Sequence, residues 1–450
     1  MILAADLGST RFKAALFASD GTRLAQDALA TPYRMQAPGV AELDPHEVRQ
    51  VFFRLVSRVL ARAGSPASAI RRVALTGQAQ TFCVCDRDGR ALGPLLGWSD
   101  LRAEREMPML SAPMIARFHA VTGVPAPDPR LMLSKVAWCL RHLEPPPGFR
   151  VMSLSSWLAI GLGAPHAIDI NQAAMTGLYS IPDGAWWEEA LAAAGLEAPQ
   201  AGRLVAAGEA LATDAGPGSP GFAPGLEVIH AGNDHSAAAF GCGDGGPLLT
   251  LGTAGVLYRR IADRTGPFSP KGLWGPFPGG GWYELHATDA IGSAVHWADR
   301  HLFGNDDVAR FVGRAFAKSA GGTDPYFNLL QWGGRSAWSK ADDPGRMAYA
   351  VIEATVFAMR TLCGLVADFG DGPVRVLGGG AGFDAWMQLL ADALDRPVVR
   401  AHADGLDGAA LLAGGSPRPG PAPEPFFPDP VRVGLLGERH GAWSRFTDAS

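Results

Sequence analysis

The chain lacks any uninterrupted apolar stretch of the roughly 20 residues needed to span a bilayer, so membrane insertion is not expected. It also carries little charge: 18% of its 450 residues are charged, and the formal net charge is −5. Without an excess of Lys and Arg to neutralise phosphates, nucleic acid is not expected as a partner, whereas small anions held locally remain compatible. The N-terminal segment, MILAADLGSTRFK, lacks a basic region and reaches Asp6 before a signal-length apolar run could form, so secretion is not expected. Cysteines number only five (Cys83, Cys85, Cys139, Cys242 and Cys363), with no C-x-x-C pair and no His/Cys ligand spacing. That argues against a disulfide framework or a zinc site and points to a reduced, cytoplasmic protein. Two nucleotide signatures are missing as well. No G-x-x-x-x-G-K-[ST] occurs, and a G-x-G-x-x-G count from Gly378 meets Phe383 where the third glycine is required.

What is present is a globular composition, 47% hydrophobic, with 57 glycines and 35 prolines that suit tight turns and close approach to ligands. The length predicts two domains of about 200 residues each. Ile2 to Ala5 reads as a strand, Leu7-Gly8-Ser9-Thr10 as a turn, Phe12 to Phe17 as a second strand, and Arg23 to Leu29 as a third after the Asp20-Gly21 turn. Asp44-Pro45 opens a helical pattern that stops at Gly64, and Arg72 to Thr76 is a strand leading into Gly77-Gln78-Ala79-Gln80. Phe82 to Cys85 begins a further hairpin, followed by Gly97-Trp98-Ser99-Asp100-Leu101-Arg102. Helices are expected over Leu131 to Leu143, Trp186 to Ala194, Met347 to Leu365 and Trp386 to Leu394, and a surface loop over Gly208 to Gly225. Pro247 to Arg259 repeats the pattern of the N-terminus, with Leu251-Gly252-Thr253-Ala254 as its turn. This predicts a duplicated architecture with domains of 1–244 and 245–450. The strand Val374 to Leu377 runs into Gly378 to Gly382, and the proline-rich tail beyond Ser416 is expected to wrap the surface.

The two glycine turns, with Ser9, Thr10 and Thr253, suit phosphoryl oxygens, because backbone N–H groups and hydroxyls can point at them. Lys13 would add charge, and Asp6 could hold Mg²⁺ directly or through water. The glycines after Leu377 would offer either a platform for a flat ring or simply a tight turn. Gln78, Gln80, Trp98, Asp100 and Arg102 supply groups for hydroxyls plus one aromatic plane, although W-x-D-x-R also reads as an anchor with an ion pair. In Val228 to Gly243, VIHAGNDHSAAAFGCG, a strand runs into a helix near Asp234. A carboxylate there is favoured in its ionised form and reads either as a general base or as a helix N-cap. His235 reads as a substrate contact or a structural histidine.

Taken in order, ADLGSTRFK, TGQAQ, GWSDLR, AGNDHSAAAFGCG, LTLGTAG and VRVLGGGAGFDAWMQLLAD resemble the FGGY carbohydrate kinases, sugar and polyol kinases of the actin and hexokinase superfamily. The resemblance runs from Ile2 to about Gly414. It implies an α/β protein of two ribonuclease-H-like, actin-like ATPase domains around a central cleft, with sugar held mainly by the first and ATP with Mg²⁺ mainly by the second. It further implies that Asp234 is the general base and Asp6 the metal-associated acid. Gly8, Thr10 and Lys13 would form the first phosphate turn, Gly252 and Thr253 the second, and Gly379, Gly380 and Ala381 the adenosine loop. Gln78, Ala79 and Gln80 would fall where members contact sugar hydroxyls.

Two departures stand out. Tyr326 to Arg346 lacks most of the usual G-E-R-x-P and glycine-rich run. Gln78 to Thr81 carries neither the methionine and histidine of typical xylulose kinases nor the arginine and glutamate of glycerol kinases, so the acceptor is not carried over from either. The expected activity is phosphorylation of a small ketose or polyol, with a pentulose-type sugar foremost. A catalytically silent sugar sensor and a kinase of a non-sugar acceptor stay open, and so does a homodimer.

Overall fold

The computed structural model describes residues 1–448 apart from 36, 215–220, 244–245, 264–267, 289, 320–321, 334–336, 367–368, 370–371 and 418–423. The boundary expected between 244 and 245 therefore lies outside the described residues, as do parts of the 208–225 loop, of the 326–346 segment and of the tail beyond Ser416. By packing, the chain forms two units, one of Met1–Gly243, Arg260–Glu284 and Ala403–Gly420, the other of Asp244–Arg259, Leu285–His402 and Pro421–Ser450.

In the first unit a six-stranded mixed sheet is built on Ile2–Leu7, a strand buried along its whole length. It pairs antiparallel with Arg11–Phe17 and parallel with Arg72–Gly77, which pairs parallel with Glu227–Asn233. Arg23–Ala30 forms one edge, and Ala210–Ala212, inside the segment expected to be loop, forms the other. Side chains alternate across a strand, so Leu3, Ala5 and Leu7 enter one core while Ile2 and Ala4 enter another. The first core is covered by the helix Pro45–Ala63, capped by Asp44 and ended by Gly64 as its sequence predicts. Asp6 has the parity of Ile2 and Ala4; Lys13 shares that of Ala15 and Phe17, and Thr76 that of Ala74. Period two thus sets Asp6, Lys13 and Thr76 on one face, in direct register with one another.

That face is covered by the helices Asp234–Gly241 and Gly405–Leu412. They cross at backbone contact: a Cβ at Gly408 would fall 1.7 Å from the Ala237 carbonyl oxygen, and one at Gly241 2.8 Å from the Gly408 nitrogen. Gly408→Ala should therefore lower stability by about 3 kcal/mol or more, the upper end of overpacking costs, read as a drop in the urea unfolding midpoint.

In the second unit, Leu248–Leu251 pairs antiparallel with Gly255–Ile261 and parallel with Val374–Leu377, which continues to Val398–Arg400. The plan repeats that of the first sheet: a hairpin closed by a glycine turn, then a parallel strand. Its core centres on the helix Pro344–Cys363, with Val351, Ile352, Val356, Phe357 and Met359 buried. The tail differs from expectation. Pro430–Asp448 is a helix, because Leu436, Arg439 and Trp443 recur at helical spacing and are buried. Arg439 is held by Glu353 at 2.5–2.7 Å, and the Trp443 indole donates to the Phe327 carbonyl at 2.8 Å.

His230, on the Glu227–Asn233 strand, is 1% exposed, and neither ring nitrogen has a hydrogen-bond partner. Burial, aided by His166, lowers its pKa to about 4. An unfolded histidine takes up its proton near pH 6.5, so between pH 6.5 and 4 the unfolded state binds more protons and stability falls as pH falls. This site alone should cost about 2 kcal/mol at pH 5 relative to pH 7. His230→Leu should make the urea midpoint correspondingly less sensitive to pH over that interval.

Candidate active site

Three adjacent parallel strands of the first unit end side by side, and each hands the chain to one candidate segment: Leu7 to Gly8, Gly77 to Gln78, and Asn233 to Asp234. Ligands of α/β sheets gather at such carboxyl ends. The turns are tied together. Gln78 donates from its backbone to the Leu7 carbonyl (3.2 Å) and from its amide to Gly8 (3.4 Å), and the Thr76 hydroxyl donates to Gly232 (2.9 Å).

Asp234 is the first residue of its helix, not its cap. Asn233 caps the helix, accepting from the Ser236 N–H at 2.9 Å, so the capping alternative for Asp234 falls away. The Asp234 carboxylate is 31% exposed and accepts from the His235 N–H at 3.0 Å, with the His235 ring 3.9 Å away. Behind it, fully buried Asn171 accepts from both the backbone and the side-chain N–H of Asn233 (3.0 and 2.9 Å) and donates to Ser236 and to the Pro276 carbonyl. The sequence reading missed Asn171, since nothing local to Asp-Ile-Asn-Gln shows which helix start, 62 residues on, it will hold.

Asp6 is 6% exposed; one oxygen accepts from Lys13 at 3.4 Å, and the other, Oδ1, is buried without a hydrogen-bond partner. Burial pushes its pKa up to about 7, with the Asp234 and Asp404 charges adding to the rise and Lys13 opposing it. Lys13 in turn is held above its usual value chiefly by Asp6. Asp404, also missed from sequence, caps the helix Gly405–Leu412 and is gripped through both oxygens by Arg23, which pairs with Asp407 as well. An orphaned buried carboxylate oxygen is what a divalent cation would satisfy, and Mg²⁺ commonly takes only one or two carboxylates besides phosphates and water. Among the described residues no group of three or more His, Cys, Asp or Glu side chains could hold a metal ion by itself.

The substrate candidates divide. Asp100 was expected to face substrate, but it is 0% exposed with both oxygens engaged, by the Ala41 N–H at 2.8 Å and by Arg102 through three N–H groups at 2.9–3.1 Å. It is a strut, as the ion-pair alternative for W-x-D-x-R anticipates. Gln78, 6% exposed, accepts from the Tyr33 and Thr81 hydroxyls. Gln80 accepts from the Met132 N–H and donates to the Met175 carbonyl. Ala79, Trp98 and His235 keep part of their surface exposed.

In the second unit, the Gly252-Thr253 turn is bound by the start of the helix Gly292–Phe303, through Gly292 N to Gly252 O (2.9 Å) and Ile291 N to Thr253 O (3.2 Å). Gly378 has φ +95°, and a Cβ there would fall 2.3 Å from the Leu251 carbonyl oxygen, so the glycine loop is set directly against this turn. Gly379–Gly382 makes one 3₁₀ turn in which Gly380 and Ala381 are buried, while a Cβ at Gly379 would meet no neighbour within 4 Å.

Residues 1–241 match the N-terminal domain of the FGGY family of carbohydrate kinases and residues 332–416 its C-terminal domain. The chain is therefore a carbohydrate kinase, a phosphotransferase with an alcohol acceptor, and belongs to that family. It is 29% identical to a glycerol kinase of Aromatoleum aromaticum over 92% of this chain and 89% of that protein. Its fold matches that of a xylulose kinase from Lactobacillus acidophilus (TM-score 0.85, 18% identity, 100% and 98% of the two chains). A xylulose kinase from Rhodospirillum rubrum matches similarly (TM-score 0.84, 23% identity, 99% and 98%).

Asn171→Ala would leave the buried Asn233 backbone N–H without its acceptor, while the Asn233 side-chain amide keeps Ser236 and Met175. At about 1–3 kcal/mol for one unsatisfied buried group, the expected outcome is a loss of that size in urea unfolding.

Proposed function

We propose that the protein transfers the γ-phosphoryl group of ATP to a hydroxyl of a small ketose or polyol, a pentulose-type sugar foremost, with Asp234 as general base. The observation that carries this reading is the arrival of Gly8, Gln78 and Asp234 at the ends of three adjacent parallel strands, with Asp234 relieved of capping by Asn233. The acceptor belongs to the domain of residues 1–244 and the nucleotide mainly to that of 245–450. Ala79, Gln80, Trp98 and His235 would meet the acceptor, while Gln78 and Asp100 fix the turns behind them. The five cysteines, all free thiols, support the expectation of a cytoplasmic, reducing setting.

Phosphoryl transfer needs alignment and charge neutralisation more than covalent catalysis. The acceptor oxygen bonds to the γ-phosphorus as the bond from that phosphorus to the β–γ bridging oxygen breaks. Asp234 takes the hydroxyl proton, and ADP departs with the bridging oxygen. Gly8, Ser9, Thr10 and Lys13 in one domain, and Gly252 and Thr253 in the other, would hold phosphoryl oxygens. Gly379, Gly380 and Ala381 would carry the adenosine. Asp6, whose buried Oδ1 lacks a hydrogen-bond partner, would hold an Mg²⁺ brought by the nucleotide, and that ion would supply charge neutralisation. Asp6 is too enclosed to accept the acceptor proton, whereas Asp234, a third exposed, can reach a solute.

A coupled ADP-release assay over pentuloses, hexuloses, tetritols and glycerol tests the activity. Stimulation by at least one acceptor is expected; thermal stabilisation by sugars without any ADP release would instead identify a sugar sensor. Asp234→Asn should lower kcat by roughly 10²–10⁴-fold, the usual worth of a general base, with acceptor-induced thermal stabilisation retained. Turnover close to wild type in that variant would remove Asp234 from the role.

A further inference from the structure

Lys135 lies on the helix Met132–Leu143, is 0% exposed, and takes no part in the phosphate or base groups described above. Its ammonium donates to the Gln80 carbonyl at 2.8 Å and to the Gly97 carbonyl at 2.6 Å, with the Phe82 ring 5.7 Å away. The two carbonyls belong to different turns. One is the Gln78–Thr81 turn at the end of the strand Arg72–Gly77; the other is the Gly97–Asp100 turn that carries Trp98. Each turn also has side-chain and backbone braces of its own, those of Gln80 including the first residue of the same helix. Gln80 is held by Met132 and Met175, and Gly97 by the Ala41 carbonyl at 2.7 Å, with Asp100 fastened to Ala41 and Arg102. Tyr33 gives a second link, its hydroxyl donating to Gln78 and its ring lying against Gly97, and the antiparallel pairing of Phe82 with Leu96 beside the two turns gives a third.

Burying an ammonium is costly, and a methionine would fill the same volume without that cost. What the lysine adds is a pair of directed bonds spanning two turns. Burial lowers its pKa to about 7 against the pull of the Asp100 charge. Even a neutral amine would retain the two N–H donors that the two carbonyls need.

We infer that Lys135 is a positioning residue for the acceptor: it fixes the spacing between the Gln78–Gln80 turn and the Trp98 turn, and thereby sets acceptor affinity and the discrimination among acceptors of different length. The kinetic side rests on the kinase reading above; the structural side does not. Lys135→Met removes both donors at nearly constant volume, and Lys135→Gln keeps two donors on a shorter arm.

Hydrogen–deuterium exchange on the full chain, with no ligand added, should show faster exchange in residues 78–82 and 96–101 of Lys135→Met. The helix Met132–Leu143 and the strand Ile2–Leu7 should stay unchanged, and Lys135→Gln should fall in between. With glycerol and D-xylulose as probes, the acceptor KM should rise at least tenfold while kcat falls less than threefold, and the ratio of kcat/KM for the two probes should move toward one. Unchanged exchange in both turns, loosening spread over the whole unit, failure of both variants to fold, or a fall in kcat at constant KM would each overturn the inference. If the wild-type protein phosphorylates neither probe, the kinase reading fails for those acceptors, and the exchange data still decide the role of Lys135.

Discussion

The close crossing of Asp234–Gly241 with Gly405–Leu412 is the contact on which the candidate site depends. At Gly408 and Gly241 the two backbones leave no room for a side chain, and that proximity presses both helix starts onto the face of the sheet that bears Asp6. A Cβ at Gly405 would lie 3.6 Å from an Asp6 carboxylate oxygen and 3.5 Å from the Asp234 carbonyl oxygen. The result is dehydration of a carboxylate that a looser packing would leave wet. Its raised pKa follows first from that burial and only then from the neighbouring charges.

The charges around Asp6 work against one another in a way that packing alone would not produce. Lys13 stabilises the ionised form, Asp234 and Asp404 oppose it, and Asp404 is itself occupied by Arg23 and by the first N–H groups of its helix. Arg23 therefore removes much of a third negative charge from the neighbourhood while tying the edge strand to the helix that covers the sheet. Exposed ion pairs contribute little, and Asp404 is itself 39% exposed; the enclosed part of this network is Arg23, 11% exposed, with its second partner Asp407, 2% exposed. The cluster keeps an acidic excess, with Asp6, Asp234, Asp404 and Asp407 set against Lys13 and Arg23, and Asp6 Oδ1 is left without a hydrogen-bond donor.

Much of this was legible in the sequence because it is local. The glycine turns, the Asp44–Gly64 helix limits and the duplicated hairpins all rest on neighbouring residues, and period two alone assigns Asp6 and Lys13 to a common face. Asp234 could be placed at a helix start but not freed from capping, since that depends on Asn233 being held by Asn171 across 62 residues. Asp404, Arg23 and Lys135 were illegible for the same reason: each acquires its meaning from a partner on a distant segment. The tail helix was obscured by composition, because prolines between 417 and 430 mask the helical spacing that begins after them.

Asp100 shows why side-chain type misleads at such turns. A loop that must approach a solute has little apolar core beneath it, so its shape is fixed by polar side chains bonded to main chain. Asp100, Gln78 and Gln80 all act in this way here, the first entirely. In the proposed reaction, acceptor contact would then fall to what these struts leave outward: Ala79, the exposed part of Gln80, Trp98 and His235. Any substitution at Gln78 or Gln80 therefore alters how the turn is held as well as what it presents. In the proposed reaction, the spacing of the two turns would then govern acceptor fit as much as the residue types they carry.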